Sequence, residues 1–276
     1  MEYNRFLQSV RETPAPYGTA VLWWMGQMGL WIRIGETVLS IDYFASDRPD
    51  RQVPPPVPAE AVSGVDVFLG THDHLDHIDH EAWRVWARNC PQARFVFPAA
   101  HRQALLEDGI APERLNGLND GQSCRIGDIT VHAVAAAHEF LAPDPGSGLY
   151  PCLQYIIEGG GLRIYHAGDT LRYEGMLDKL RAFVPMDAAL LPINGRDARR
   201  YRRNCIGNMT FQEAVDLAGE LCPRLAIPGH WDMFASNSED PAAFADYLDA
   251  KYPGRVPCVI PRHLEPIVLR LAPSAP

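Results

Sequence analysis

Short runs of β-branched, aliphatic and aromatic residues that stop at Gly or Pro alternate along this chain with stretches of helical spacing. The first kind predicts buried strands and the second amphipathic helices. Residues 19–25, 29–34 and 37–42 are three β-rich runs punctuated by Gly26, Gly29 and Gly35, and they predict an antiparallel meander. Trp23 and Trp24 in the first run suit a core or a pocket mouth. Residues 48–58 carry five prolines and read as an extended surface segment that borders the site. An apolar run at 65–70 ends at Gly70. Residues 81–87 then place Ala82, Val85 and Trp86 on one helical face. A strand at 94–97, a helix at about 99–107 and a strand at 129–135 continue a β-α-β alternation. Residues 141–148 predict a turn-rich loop at a pocket rim.

Residues 152–158 and 162–166 flank Gly159-Gly160-Gly161, a hairpin signal because glycines supply the positive φ angles of tight turns. A buried strand follows at 187–193. Thr210-Phe211-Gln212-Glu213 is a capping box, opening a helix with Ala214, Val215, Leu217, Ala218 and Leu221 on one stripe. A strand at 224–228, a helix started by Asp240-Pro241 and a last strand at 266–271 complete the pattern. No run of Gly, Ser or charge divides the chain, so one domain over 1–276 is expected.

Composition narrows the function classes. The chain has 276 residues, 47% hydrophobic and 21% charged, as ordinary globular proteins do. A formal charge of -9 disfavours non-specific nucleic-acid binding, so any anionic substrate must be met by a local basic patch. Six cysteines, none in a C-x-x-C pair, suggest neither a disulfide framework nor a thiolate metal site and fit a cytoplasmic location. No apolar run approaches the ~18–20 residues that span a bilayer, and the N-terminus lacks a basic start with an apolar core. A membrane partner is therefore not expected.

The chemistry concentrates at residues 71–80, where four of the ten histidines (His72, His74, His77, His80) lie within nine positions, with Asp76 among them. The spacing H-x-H-x-D-H at the end of a strand lets His72 and His74 turn toward one cation while Asp76 and His77 turn toward a second. Further candidates follow strand ends: His138, Asp169 in a Gly-Asp pair, and His230. Asp169 could instead cap a helix, since Asp is a favoured N-cap. Asp42 suits either a carboxylate orienting a ligand or a turn, and His166 either support of the site or core. Arg196, Arg199, Arg200, Arg202 and Arg203 put five guanidinium groups into eight positions of an acidic protein. Guanidinium donates paired hydrogen bonds to phosphate or carboxylate, so the segment is expected either to bind the substrate's anionic end or to form a subunit contact in a homo-oligomer.

His72, His74, Asp76 and His77 resemble the signature of the metallo-β-lactamase superfamily. The segments at 22–26, 71–79, 165–169, 207–210 and 227–230 are similar to the L-ascorbate-6-phosphate lactonase group within it, a likeness running from about residue 20 to 237. The resemblance implies an α/β (α+β) fold, the four-layer αββα sandwich. It implies two divalent ions per chain, Zn2+ or Mn2+: His72, His74 and His138 around one, Asp76, His77 and His230 around the other, and Asp169 bridging. Asp76, Asp169 and His230 are then the catalytic residues. Arg196, Arg199, Arg202, Arg203 and Asn208 are the expected substrate contacts. Two departures accompany the likeness: the chain is short for that group, and His138 stands where the group carries an acidic residue. The activity implied is lactone hydrolysis of a small anionic, sugar-acid phosphate-like substrate, with phosphodiester hydrolysis of a nucleotide, lipid or RNA substrate as the alternative.

Overall fold

The computed structural model describes residues 2–272. Its elements run in the order α1 (Glu2–Glu12), β1 (Thr19–Gly26), β2 (Gly29–Ile34), β3 (Thr37–Ile41), β4 (Val67–Leu69), α2 (His80–Asn89), β5 (Arg94–Pro98), α3 (Arg102–Glu107), β6 (Leu115–Leu118), β7 (Ser123–Ile126), β8 (Ile129–Ala135), β9 (Leu153–Gly159), β10 (Leu162–His166), α4 (Met176–Arg181), β11 (Ala188–Pro192), α5 (Ala198–Arg202), α6 (Phe211–Leu221), β12 (Ala226–Gly229), α7 (Pro241–Lys251) and β13 (Pro266–Arg270). One seven-stranded sheet has the order β13-β1-β2-β3-β4-β5-β6, and a six-stranded sheet has the order β12-β11-β10-β9-β8-β7. The meander β1-β2-β3 is antiparallel as its Gly-punctuated pattern predicts, and β3-β4-β5-β6 is parallel.

Alternation along the strands explains why both sheets are buried on both faces. Ala20, Leu22, Leu30, Ile32, Leu39 and Ile41 point to the other sheet, where they meet Val131, Leu153, Tyr155, Ile157 and Ile164. Their neighbours Val21, Trp23, Trp31, Val38 and Phe68 point outward to Phe6, Leu7 and Val10 of α1 and to Trp83 and Trp86 of α2. On the far side Ile156, Tyr165, Ala189 and Leu191 pack against Leu180, Val215, Leu217, Leu221 and Leu248. The layers are therefore helix, sheet, sheet, helix, and side chains of period two serve two cores at once.

Caps set the helix ends. Asp79 accepts a hydrogen bond from Ala82 N at 3.1 Å to start α2, and the same carboxylate holds Ala45 N and Ser46 N. The Thr210–Glu213 capping box opens α6, and Asp240 caps α7. Several expectations are corrected. The helix expected at 99–107 begins as a 3-10 turn, Ala99–His101, before α3. The arginine-rich segment is a short helix, α5, because Asp197 accepts from Arg199 N and Arg200 N. Strands β6 and β7 were not legible, since Leu115–Leu118 contains Asn and Gly and Ser123–Ile126 is half exposed on an edge. Trp23 lies in the helix-facing core, 6.1 Å from Phe6, whereas Trp24 stacks on Trp231 at 4.7 Å beside the site described next. No helix is long and apolar enough to cross a membrane among the described residues, and all six cysteines are free thiols.

Candidate metal centre

The parallel strands deliver their C-terminal ends to one edge of the sandwich, the usual location of ligand sites in open α/β sheets. β3 ends just before Asp42, β4 just before the His-rich segment, β8 before His138, β10 before Asp169 and β12 before His230. The segment after β4 folds into a compact turn in which His77 N and Ile78 N both donate to His74 O at 2.9 Å. Ile78 is fully buried and anchors the turn, so His72 and His77 face inward while Asp76 keeps 18% of its side chain exposed. Leu153 N donates to Thr71 O, tying the two sheets together at this edge, and Leu171 N donates to Ala137 O, tying the ends of β10 and β8 within one sheet.

Asp169 reaches the centre through Gly168, whose φ of +57° is left-handed; a Cβ there would lie 2.8 Å from Thr71 Cβ. Asp169 therefore emerges from a tight turn and does not cap a helix: α4 begins only at Met176, with Gly175 at its N-cap. His166 supports that turn, accepting from Gly168 N at 3.2 Å and donating Nε2–H to Met28 O at 2.8 Å. It is not among the residues that converge.

Three groups of donors do converge, each with ligand atoms within 4.8 Å of one another: His72, His74 and His138; His72, His77 and Asp169; and Asp76, His77 and His230. The middle group shares members with both outer ones, so the arrangement is that of two adjoining subsites with Asp169 between them. His72 Nε2 is 2.9 Å and His138 Nε2 3.1 Å from His74 Nδ1. Asp169 Oδ2 lies 3.1 Å from His230 Nε2 and 3.9 Å from His138 Nε2, and Oδ1 lies 3.4 Å from His77 Nε2. Asp76 Oδ2 is 3.8 Å from His230 Nε2 and 3.7 Å from His77 Nε2. His77 Nε2 and Asp169 Oδ1 are buried without a hydrogen-bond partner. Orphaned donors at the middle of a nitrogen and oxygen cluster are what a divalent cation would satisfy.

Protonation divides the cluster in two. Burial, with His77 and His138 nearby, pushes His72 well below the usual histidine range, and burial lowers His74 and brings His138 down to about 4. These three imidazoles are neutral at pH 7 and free to ligate. Burial also disfavours charge on His77 and His230, but for His77 the carboxylates of Asp169, Asp42 and Asp76, and for His230 those of Asp169 and Asp76, outweigh it and raise both. Asp169 is held well below the carboxylate range because His230 and His77 overcome its burial. In that half, cation uptake must displace protons.

The support is specific. Asp42 accepts from His77 Nδ1 at 2.7 Å, from Thr71 N at 2.8 Å and from Thr71 Oγ1 at 2.7 Å. Asp42 is therefore a carboxylate that orients a ligand, presenting His77 Nε2 to the centre. Thr71 had no signal in the sequence. His80 turns away, its Nε2 2.6 Å from Asp73 Oδ1 and its Nδ1 bonded to Asp108; the Asp73 bond outweighs burial and, with Asp108, raises its pKa to about 9.

The arginines divide as well. Arg196 does not meet an anion from outside: both its terminal nitrogens bond Glu213, and Nη1 also donates to Asn208 O. Arg200 is spent on Asp197 and on Ser238 O. Asn208 is likewise inside, fully buried and donating to Asn194 Oδ1 at 3.0 Å. Of the residues expected to contact substrate, Arg196 is thus paired with a neighbouring carboxylate and Asn208 is buried. Arg199, Arg202 and Arg203 remain on the surface of α5 and just beyond it. A few residues on, Met209 N donates to Thr170 O at 3.0 Å, which ties the chain beyond this segment to the residue after Asp169.

Comparison with known proteins accords with this geometry. The family model described as "Beta-lactamase superfamily domain" matches residues 38–231. A "Probable L-ascorbate-6-phosphate lactonase UlaG" of Salmonella newport is 24% identical, over 84% of this chain and 74% of that one. Igni18, a metallo hydrolase from the archaeon Ignicoccus hospitalis, superposes with a TM-score of 0.73 at 21% identity, covering 92% of this chain and 100% of the other. An isothiocyanate hydrolase from Delia radicum gut bacteria gives 0.71 at 18% identity, covering 91% and 100%.

Proposed function

This chain belongs to the β-lactamase superfamily as a metal-dependent hydrolase of the metallo-β-lactamase fold, and from that premise we propose that it opens the ring of a small anionic lactone. The observation that carries the proposal is the exposure of the unspent Arg199, Arg202 and Arg203 on the segment leading to Met209, whose N donates to Thr170 O beside Asp169. The 24% identity to a lactonase supports the same substrate class.

His72, His74 and His138 would hold one divalent ion, Asp76, His77 and His230 the other, with Asp169 shared; Zn2+ and Mn2+ both suit such nitrogen and oxygen donors. When bound, the ions supply Lewis acidity toward a carbonyl oxygen and lower the pKa of water. Asp42 keeps His77 Nε2 aimed at the centre. Asp76 exposes 18% of its side chain and Asp169 5%, so substrate and solvent reach Asp76 more readily. In the proposed reaction Asp76 Oδ1, the carboxylate oxygen that does not face Gln27, takes a proton from the attacking water and returns it to the departing alkoxide as the acyl C–O bond breaks. The arginines fix the anionic end at a distance from the ring.

The test is kcat/KM of wild type and of the Arg199→Ala/Arg202→Ala/Arg203→Ala variant on a phosphorylated lactone, its uncharged analogue and a panel of phosphodiesters. Losing one charge-assisted contact of ~1.5–3 kcal/mol lowers kcat/KM about ten- to a hundredfold on the charged lactone alone. An equal change on both lactones refutes the anion-binding role. Faster turnover of a phosphodiester than of any lactone replaces the substrate class.

A further inference from the structure

The two-residue turn between β1 and β2 sends one side chain, Gln27, to the edge of the metal centre. Gln27 is fully buried, and its φ of +55° is left-handed. It sits at the first central position of a tight hairpin turn, where glycine is favoured because other residues are strained. The surroundings hold it there. Gln27 N donates to Asp232 Oδ1 at 2.8 Å, and Asp232 Oδ2 lies 2.7 Å from His263 Nε2. Gln27 O accepts from His230 N at 2.8 Å and from Trp24 Nε1 at 3.1 Å.

The side chain reaches the two ligand atoms at one end of the cluster. Gln27 Nε2 donates to Asp76 Oδ2 at 2.9 Å and lies 3.2 Å from His230 Nε2. Its Oε1 is buried with no hydrogen-bond partner, which is uncommon for an amide oxygen and marks a group whose remaining partner is not protein. Among the described residues, Asp76, His77 and His230 form one converging group, and Gln27 meets two of the three.

We propose that Gln27 is a positioning residue of the Asp76–His77–His230 subsite, setting how tightly that subsite, and not the His72–His74–His138 subsite, holds its cation. Its amide N–H fixes the orientation of Asp76 Oδ2. Its backbone carbonyl fixes His230, whose own φ of +60° is left-handed, so that one residue locks two ligands from different strands. A Gln at a glycine position trades local strain for that contact. The assignment rests on the two-ion reading above.

The experiment is a chelator-competition titration of Zn2+ into the full-length metal-free protein, with calorimetric Tm measured on the same samples, for wild type, Gln27→Leu and Gln27→Gly. Loss of a partner behind a ligand weakens metal affinity about ten- to a hundredfold. That loss is expected for one of the two Zn2+ equivalents in both variants, with the other within about twofold of wild type. Gln27→Gly removes the backbone strain, so its metal-free Tm is expected to equal or exceed that of wild type while that one site weakens. A merely structural residue would not separate these readouts. Unchanged affinity at both sites in both variants, or equal weakening of both sites, overturns the assignment while leaving the two-ion reading intact. A wild-type protein that takes up only one Zn2+ overturns the two-ion reading and the assignment with it.

Discussion

Gly168→Ala tests how the centre is built, because one methyl group strikes the support of two ligands. The added Cβ would lie 2.8 Å from Thr71 Cβ, 2.9 Å from Cγ2 and 3.0 Å from Oγ1. Thr71 cannot yield easily: its N and Oγ1 are bonded to Asp42, and its O accepts from Leu153 N. The left-handed φ costs Ala roughly 1–2 kcal/mol, and forcing an extra carbon into a packed interior costs about 1–3 kcal/mol more. A total near 2–5 kcal/mol is expected. Gly109→Ala is the control, since Gly109 has a φ of +79° but nothing within 4 Å of its Cβ position, so it carries only the backbone cost. Urea denaturation of the metal-free variants reads both losses, and metal content after dialysis reads the displacement of Asp169. The reasoning predicts that Gly168→Ala loses at least about 1 kcal/mol more than Gly109→Ala and retains less metal. Equal losses in the two variants, with full metal retention, would refute it.

Two further outcomes are expected. Asp42→Asn removes a buried charge that accepts from both Thr71 and His77 Nδ1, so cation affinity should fall about ten- to a hundredfold in equilibrium dialysis; wild-type affinity would show that His77 needs no such partner. His80, raised to about 9 by Asp73 and Asp108 against an ordinary value near 6.5, gives stability that is full below pH ~6.5 and lost as pH rises through ~9. The shift caps the effect near ~3 kcal/mol, and partial exposure of His80 and Asp73 brings it to about 1–2. His80→Gln should therefore narrow the stability difference between pH 6 and pH 9.5 measured in urea, and an unchanged difference would place the titration elsewhere.

Much of this molecule is written locally. Strand positions follow from short β-rich runs punctuated by glycine, as in 19–25 and 37–42, and the starts of α6 and α7 follow from Thr210, Glu213 and Asp240. His72, His74, Asp76 and His77 were legible because their spacing lies within one turn, and His138, Asp169 and His230 because each follows a strand end. What the sequence left open concerns partners far apart in the chain. His77 finds Asp42 at a separation of 35 residues, and Gln27 meets His230 at 203. Neither separation has a period or motif to betray it. Arg196 and Arg199 look alike in the sequence, yet Glu213, placed by α6, claims the first and leaves the second at the surface. A hydrogen bond depends on where two backbones lie to within a fraction of an ångström, and only the packing of the two sheets and their helices sets that distance.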